Sequence, residues 1–252
     1  MPGVMERVVL ITGASRGIGL ATANLLVSNG ARVMAVARTE SELAASGLPH
    51  TVVADLSTLE GCRHAFEETI RQLGPIDILV CNHGIGSAHE RPLHQTDFDT
   101  FQNSMRTNLE GPFYLTRLVM PYMVERKYGR CVYTSSTAAI DAEQAAVGYN
   151  VSKAGLCGLM RSVCIDGGPY NITANAVLPG WVRTAMAEES AQAEATAKGV
   201  TAEEVWEERA ALYPPKRVVT PEEVAHTILF LASEESSGVS GESIRVSLGC
   251  PW

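Results

Sequence analysis

Short apolar, β-branched runs alternate with longer amphipathic stretches along almost the whole chain. The runs Val8–Thr12, Arg32–Ala37, His50–Ala54, Ile76–Cys81, Cys131–Ser135, Thr173–Leu178 and Ser243–Val246 have the length and residue types of strands. The stretches between them read as helices, among them Gly17–Asn29, Leu59–Leu73, Asp97–Glu125 and Tyr149–Gly167. Continuously apolar strands need helices on both faces, which is the arrangement of a parallel sheet. Right-handed crossovers then give a doubly wound α/β fold of three layers with about seven strands. No internal repeat, low-complexity tract or Pro/Gly/Ser linker divides the chain, so residues 1–252 are expected to form a single domain.

One stretch breaks the alternation. Trp181–Thr220 precedes a helix opening at Pro221-Glu222-Glu223 and contains AEESAQAEATAK and TAEEVWEERAALY, which suit short exposed helices. A long excursion at the carboxyl edge of a parallel sheet is expected to be a substrate lid, over about 181–220, with a plain solvated excursion as the alternative.

Composition narrows the function classes. A hydrophobic share of 46% and a charged share of 19% are globular values. The net charge of −8 argues against a phosphate-tracking surface, so nucleic acid is not an expected partner. No apolar run reaches the roughly 18 residues needed to span a bilayer, so no membrane is expected. The opening MPGVMERVVLITGAS runs straight into a glycine loop and lacks the order of a signal peptide. The six cysteines are scattered without CxxC or Cys/His ligand spacing. They read as reduced, buried residues in a cytoplasmic protein, and no metal is expected.

The first strand, VVLIT, leads into Thr12-Gly13-Ala14-Ser15-Arg16-Gly17-Ile18-Gly19 and then a helix. The first glycine permits a tight turn, the second lets backbone approach a pyrophosphate, and the third lets helix and strand pack closely. The helix N-terminus offers free N–H groups and a favourable dipole to phosphate. A nucleotide site at the first strand–helix unit follows.

The form TGxxxGxG resembles the short-chain dehydrogenase/reductase family, and further motifs carry the resemblance across essentially the whole chain. Asp55-Leu56 follows the third strand, where the family places an aspartate near the adenine ring. Cys81-Asn82-His83-Gly84 stands where the family usually shows NNAG, and Pro179-Gly180 with Thr184 matches its PG-x-x-x-T beside the nicotinamide amide. The resemblance implies a Rossmann-type fold and a nicotinamide cofactor. The dinucleotide contacts it implies are Gly13, Ser15, Arg16, Gly17, Ile18, Gly19, Arg38, Asp55, Leu56, Asn82, Gly84, Tyr149, Lys153, Pro179, Gly180, Val182 and Thr184. A carboxylate at the tip of the second strand would hold both ribose hydroxyls and repel a 2′-phosphate, but position 37 is Ala. Arg38 and Arg16 can approach the same spot, and guanidinium suits phosphate, so NADP(H) is expected in preference to NAD(H). Alternatively, Arg38 is a solvated strand-end charge and Glu40 or Glu42 serves the ribose.

Tyr149 and Lys153 stand at i and i+4, on one helix face. A phenol near pKa 10 needs help to exchange protons at neutral pH, and an adjacent ammonium supplies it. Ser136, thirteen positions before Tyr149, has the spacing of the family's catalytic serine, while Ser135 is expected to be structural. Asn108 in MRTNLEGPF matches the family's helical asparagine, a poor mid-helix residue that implies a distortion holding a water next to Lys153. By resemblance, Tyr149 transfers the proton, Lys153 lowers its pKa and binds the nicotinamide ribose, Ser136 orients the carbonyl, and Asn108 supports a proton relay.

Three places depart from the family pattern. His83 replaces the alanine of NNAG and either fills space or touches substrate; Cys81 replaces its first asparagine and reads as core. The ending Arg245–Trp252 lacks the usual aspartate and paired glycines, which bears on subunit packing. The expected substrate wall includes His83 and the loop to Leu93, Ala138, Ile140, Glu143, Gln144, Trp181, Val182 and Met186. These suit a modest-sized ketone or secondary alcohol. The acidic lid disfavours an acyl thioester of CoA or a carrier protein. An NAD-dependent dehydrogenase of a small hydroxy acid or polyol is the alternative, and a non-catalytic nucleotide-sensing protein is a third reading. Family resemblance implies a homotetramer or homodimer through the Asn108 and Tyr149 helices.

Overall fold

The computed structural model describes residues 3–250; Pro251 and Trp252 of the departing C-terminus lie outside them. The strands are β1 (Val8–Thr12), β2 (Arg32–Ala37), β3 (Thr51–Val53), β4 (Ile78–Cys81), β5 (Gly129–Thr134), β6 (Ile172–Pro179) and β7 (Ser243–Val246). They form one parallel sheet in the order β3-β2-β1-β4-β5-β6-β7. The chain winds outward from β1 to β3 on one side and from β4 to β7 on the other. Crossovers therefore diverge above β1 and β4 and leave a crevice at the carboxyl ends, the expected ligand position in a Rossmann-type fold.

The helices are α1 (Gly17–Ser28), α2 (Glu40–Ala45), α3 (Leu59–Leu73), α4 (Phe98–Met105), α5 (Gly111–Arg126), α6 (Ala138–Asp141), α7 (Val147–Gly167), α8 (Ala185–Lys198), α9 (Ala202–Ala211) and α10 (Pro221–Ala232). Strand alternation sorts the core into two layers. Leu10, Met34, Val36, Leu79 and Tyr133 face α3, α5 and α7, meeting Phe66, Leu115, Val119 and Met160. Val9, Ile11, Val33, Ala35 and Val80 face α1 and α10, meeting Ala23, Leu26, Val224 and Ile228. Burial on both faces is why these strands read as unbroken apolar runs.

The stretch expected as one helix over Asp97–Glu125 is interrupted by a π-helical turn at Arg106–Glu110. Pro112 has no N–H, so the Asn108 carbonyl loses its ordinary α-helical donor there, and the backbone widens. Strand β4 begins two residues later than expected because Asp77 serves the layer below. It is buried, accepts the Val8 N–H at 2.9 Å, and pairs with Arg126 at 2.7 Å. Strand β5 begins earlier, at Gly129, and carries Arg130 into the interior with no exposure. Its guanidinium donates to the Gly129, Asn171 and Ser233 carbonyls and to Glu234, and lies over the Tyr128 ring.

Beyond β6, α8 and α9 pack on each other through Ala187, Ala191, Ala195, Val205 and Trp206, with Trp181 against them. Arg209 lies 3.6 Å from the Trp181 ring centroid and pairs with Glu194 at 2.8 Å. Among the described residues, no helix is long and apolar enough to cross a membrane.

Candidate active site

The crevice above β1 and β4 is lined along one side by the glycine loop. Gly13 has φ +64°, and a Cβ there would sit 2.9 Å from the His83 Cα. A Cβ on Gly19 would collide with the Gly13 carbonyl, so Gly19 closes the loop onto its helix and does not itself line the cavity. Arg16 occupies the α1 N-cap without a side-chain cap, whereas Thr58, Asp97, Thr184, Thr201 and Thr220 cap later helices with theirs. The open donors of α1 thus face the cavity, a donor set suited to a pyrophosphate.

At the end formed by β2 and β3 the crevice is lined by Ala37, Arg38, Asp55 and Leu56, together with Ser15 and Arg16. Glu42 of α2 enters the same end, accepting from Ser15 Oγ at 2.8 Å and Arg16 Nη1 at 3.1 Å. Burial raises the Asp55 carboxyl, but hydrogen bonds from Ser57 and the charge of Arg38 outweigh it and hold the group low. Thr12, the first residue of the glycine-loop motif, organises the floor. Its Oγ1 accepts the Asn82 and His83 N–H groups and meets His83 Nδ1 at 2.8 Å. Burial above all depresses the His83 imidazole, to about 3, and its buried Nε2 is turned toward Gly111. His83 therefore sits as a neutral ring in the floor of the crevice.

The chemistry-bearing groups gather at the other end. Strand β5 and helix α7 bring Ser136, Tyr149 and Lys153 to one place, with Pro179, Gly180, Trp181, Val182, Thr184 and Met186 opposite. Lys153 Nζ lies 5.6 Å from the Tyr149 ring centroid and donates to the Thr134 carbonyl at 3.0 Å. Burial depresses this ammonium to about 8. Burial also pushes the Tyr149 phenol well up, as does the charge of Glu143, against a lowering hydrogen bond with Ser136. The arrangement thus holds Tyr149 as the neutral phenol, a proton donor, with the Lys153 ammonium beside its ring. Ser135 ties β5 to α7 by donating to the Lys153 carbonyl at 2.8 Å.

Asn108 lies beneath, fully buried. Its Oδ1 accepts the Ile85 N–H at 2.8 Å, and its Nδ2 donates to the Ile85 carbonyl and to Ser152 Oγ, both at 3.1 Å. A Cβ on Gly84 would fall 3.0 Å from Asn108 Oδ1 and 3.4 Å from Lys153 Nζ, so these groups share one small space.

Of the expected substrate wall, His83 with the start of its loop to Ser87, Glu143, Trp181, Val182 and Met186 line the cavity. Ala138 does not: it is buried, its N–H donating to Ser136 Oγ at 3.1 Å in the first turn of α6. Ile140 and Gln144 point outward to solvent. Residues missed in the sequence act from a distance: Glu90 on the first turn of α7, Asn150 and Ser87 on Glu143, and Tyr213, whose Oη accepts the Trp181 N–H at 2.6 Å. Only Asn150 falls within a motif, as a variable position between Tyr149 and Lys153.

A doubly wound sheet with an open phosphate-type helix end and a Tyr–Lys pair in one crevice defines a dinucleotide-dependent oxidoreductase. A family model described as enoyl-(acyl carrier protein) reductase, of the short-chain dehydrogenase type, matches residues 13–250. The chain belongs to the short-chain dehydrogenase/reductase family. A 3-oxoacyl-(acyl-carrier-protein) reductase of Thermotoga maritima is 35% identical over 252 residues, covering 96% of this chain and 97% of that one. The crystal structure of levodione reductase is similar with a TM-score of 0.92 at 30% identity, covering 97% of each chain. That of a polyketide ketoreductase variant with NADPH has a TM-score of 0.91 at 30% identity, also covering 97% of each. The chain is accordingly an oxidoreductase of the ketone–alcohol type.

Proposed function

We propose that this enzyme uses NADP(H) in preference to NAD(H) to interconvert a small ketone and its secondary alcohol. The observation that carries the reading is the convergence of Ser136, Tyr149 and Lys153 on the crevice that also holds the uncapped α1 N-terminus. The glycine loop, Asp55, Asn82, Pro179 and Thr184 would hold the dinucleotide, with Arg16 and Arg38 on a 2′-phosphate. The chemistry the bound cofactor supplies is hydride transfer at its nicotinamide carbon. In the reductive direction the carbonyl oxygen accepts hydrogen bonds from Ser136 and Tyr149, and the neutral phenol gives up its proton as negative charge develops there. Lys153 offsets the charge left on Tyr149 once that proton has gone. Asn108 fixes the Ile85 backbone and Ser152 beneath the pair.

Residues 181–220 act as a lid in this reading, because α8–α9 is joined to the crevice through Trp181 and Met186. Four of its five cations meet carboxylates, Arg183 with Glu188 and Glu203, Lys198 with Glu194 and Glu208, Arg209 with Glu194 and Arg217 with Glu223, while Lys216 donates to the Ala211 carbonyl. That favours a small neutral substrate. The likeness to a 3-oxoacyl-(acyl-carrier-protein) reductase favours a thioester as the second reading. The proposed assembly is a homodimer or homotetramer through α4, α5 and α7, which expose Phe98, Phe113, Tyr122, Val151 and Ile165. The proposed compartment is the reducing cytoplasm, in keeping with the thiols of Cys62, Cys81, Cys131, Cys157 and Cys164.

The deciding test is Tyr149→Phe, followed at 340 nm against ketones, alcohols and 3-oxoacyl thioesters with both cofactors. Turnover falls at least about a thousandfold while NADPH still binds. Undiminished turnover would overturn the assignment of Tyr149.

A further inference from the structure

Glu143 is a carboxylate inside the substrate end of the crevice, and the protein goes to some length to put it there. It lies between α6 and α7, where Ala142 and Ala145 both adopt left-handed backbone, with φ 56° and 55°. Side-chain-bearing residues avoid that region, and it persists only where the surroundings enforce it. The enforcement comes from Asn150, next to Tyr149. Its Oδ1 accepts the Glu143 N–H at 3.0 Å and its Nδ2 donates to the Glu143 carbonyl at 2.8 Å. The side chain then turns into the cavity, where Oε2 accepts from Ser87 Oγ at 3.1 Å.

This carboxylate is close enough to Tyr149 for its charge to act on the phenol. No ion pair neutralises it among the described residues. Arg209 acts on it from α9, but that guanidinium is already stacked on Trp181 and bonded to Glu194 and Ser190. A carboxylate can accept several hydrogen bonds, and one held beside the reacting centre by a single hydroxyl has capacity for a donor on the ligand. A ligand carboxylate at the same spot would meet like charge in a poorly hydrated place.

We infer that Glu143 determines substrate class by accepting a hydrogen bond from a donor group beside the reacting carbon, so that the enzyme selects hydroxy ketones and their diols over plain ketones and rejects keto acids. The inference rests on the ketone–alcohol reading proposed above. An ammonium in place of the hydroxyl presents the same donor chemistry with a charge.

The test compares four ketones of matched size, carrying a neighbouring hydroxyl, methyl, ammonium or carboxylate group, with wild type, Glu143→Gln and Glu143→Leu. The kcat/KM of wild type for the hydroxy ketone exceeds that for the methyl ketone by about tenfold or more. In Glu143→Leu this ratio collapses toward one, mainly through KM, while the keto acid gains about tenfold relative to the methyl ketone. Glu143→Gln keeps part of the hydroxyl preference and admits the keto acid. An amino ketone that outranks the hydroxy ketone assigns the site to cationic substrates. Quenching of tryptophan fluorescence by the diols in cofactor-free protein gives the same ranking without turnover, since Trp181 lines the crevice. Ratios unchanged in Glu143→Leu overturn the inference and leave the ketone–alcohol reading intact. A wild type that binds NADPH but reduces none of the four overturns both.

Discussion

The Glu90 carboxylate closes the first turn of the helix that carries Tyr149. Its Oε1 accepts the Tyr149 main-chain N–H at 2.8 Å and its Oε2 the Gly148 N–H at 2.7 Å, while Ser104 Oγ adds a bond at 3.1 Å. Ala146 at the N-cap of α7 has no side-chain acceptor, so a carboxylate from a distant loop does the capping. Gly148 makes room for it, since a Cβ there would lie 3.0 Å from Glu90 Oε1. Glu90 is a positioning residue for the phenol. Replacing it by Ala should cost about 1–2 kcal/mol in urea unfolding. The same change should lower kcat about tenfold, with a smaller effect on NADPH binding. Glu90→Gln, which keeps one acceptor, should recover part of both; equal losses in kcat and cofactor affinity would point to general unfolding instead.

Lys153 predicts an opposition between stability and turnover. Its folded pKa of about 8 lies below the ordinary lysine value of 10.5, so folding disfavours its proton. Below about pH 8 the ammonium is charged in both states, and the full burial cost weighs on the fold. Between about 8 and 10.5 the folded state sheds its proton first and the cost fades. Lys153→Met should therefore unfold at a higher temperature than wild type at pH 7, with the gain shrinking toward pH 10.5, while turnover is lost. Wild-type kcat/KM for reduction should fall as pH rises through about 8. A pH-independent difference in melting would remove burial of the charge as its cause.

The cofactor end offers a sharper discrimination. Glu42 already holds Arg16, one of the two guanidiniums proposed for a 2′-phosphate, together with Ser15, so a phosphate reaching Arg16 must displace it. Glu42→Gln should tighten NADPH binding severalfold and change NADH binding little, as read by fluorescence titration. Arg38→Ala should weaken NADPH selectively. A tighter NADH complex in wild type would favour the ribose role for Glu42.

Much of this architecture was readable from residue order. β1, β2, α3 and β7 fall on their expected bounds because each is a clean apolar or amphipathic run between turn residues. The glycine loop and the Tyr149–Lys153 pair are local in sequence, so spacing alone brings each together. The helix break was foreshadowed by Asn108, but its place follows from the N–H missing at Pro112. The bond from Glu90 to Tyr149 spans 59 positions, and the hold of Glu42 on Arg16 spans 26, distances at which no periodicity operates. Ala138 lies off the cavity because the chain turns into α6 directly after β5, which alternation along a strand does not foresee.

Arg209 predicts how the α8–α9 excursion behaves. The guanidinium is buried between Trp181 and Trp206 and holds Glu194. Arg209→Ala should leave that carboxylate unpartnered by it and open space between the two indoles. Tryptophan emission should shift to the red and proteolysis within 185–211 should quicken, with KM for substrate rising more than kcat falls. An unchanged emission spectrum would show that the two rings are held by other contacts.

Arg130 sits at the opposite edge of the sheet from the chemistry. With Asp77, Arg126, Arg7 and Glu234 it forms a charged girdle that binds the strand starts, α5 and the end of α10 into one piece. The molecule thus has an anchored base and a working rim. Substitutions that tune heat or salt tolerance can be confined to the base, and selection for a new substrate can reshape the rim without loosening what carries it.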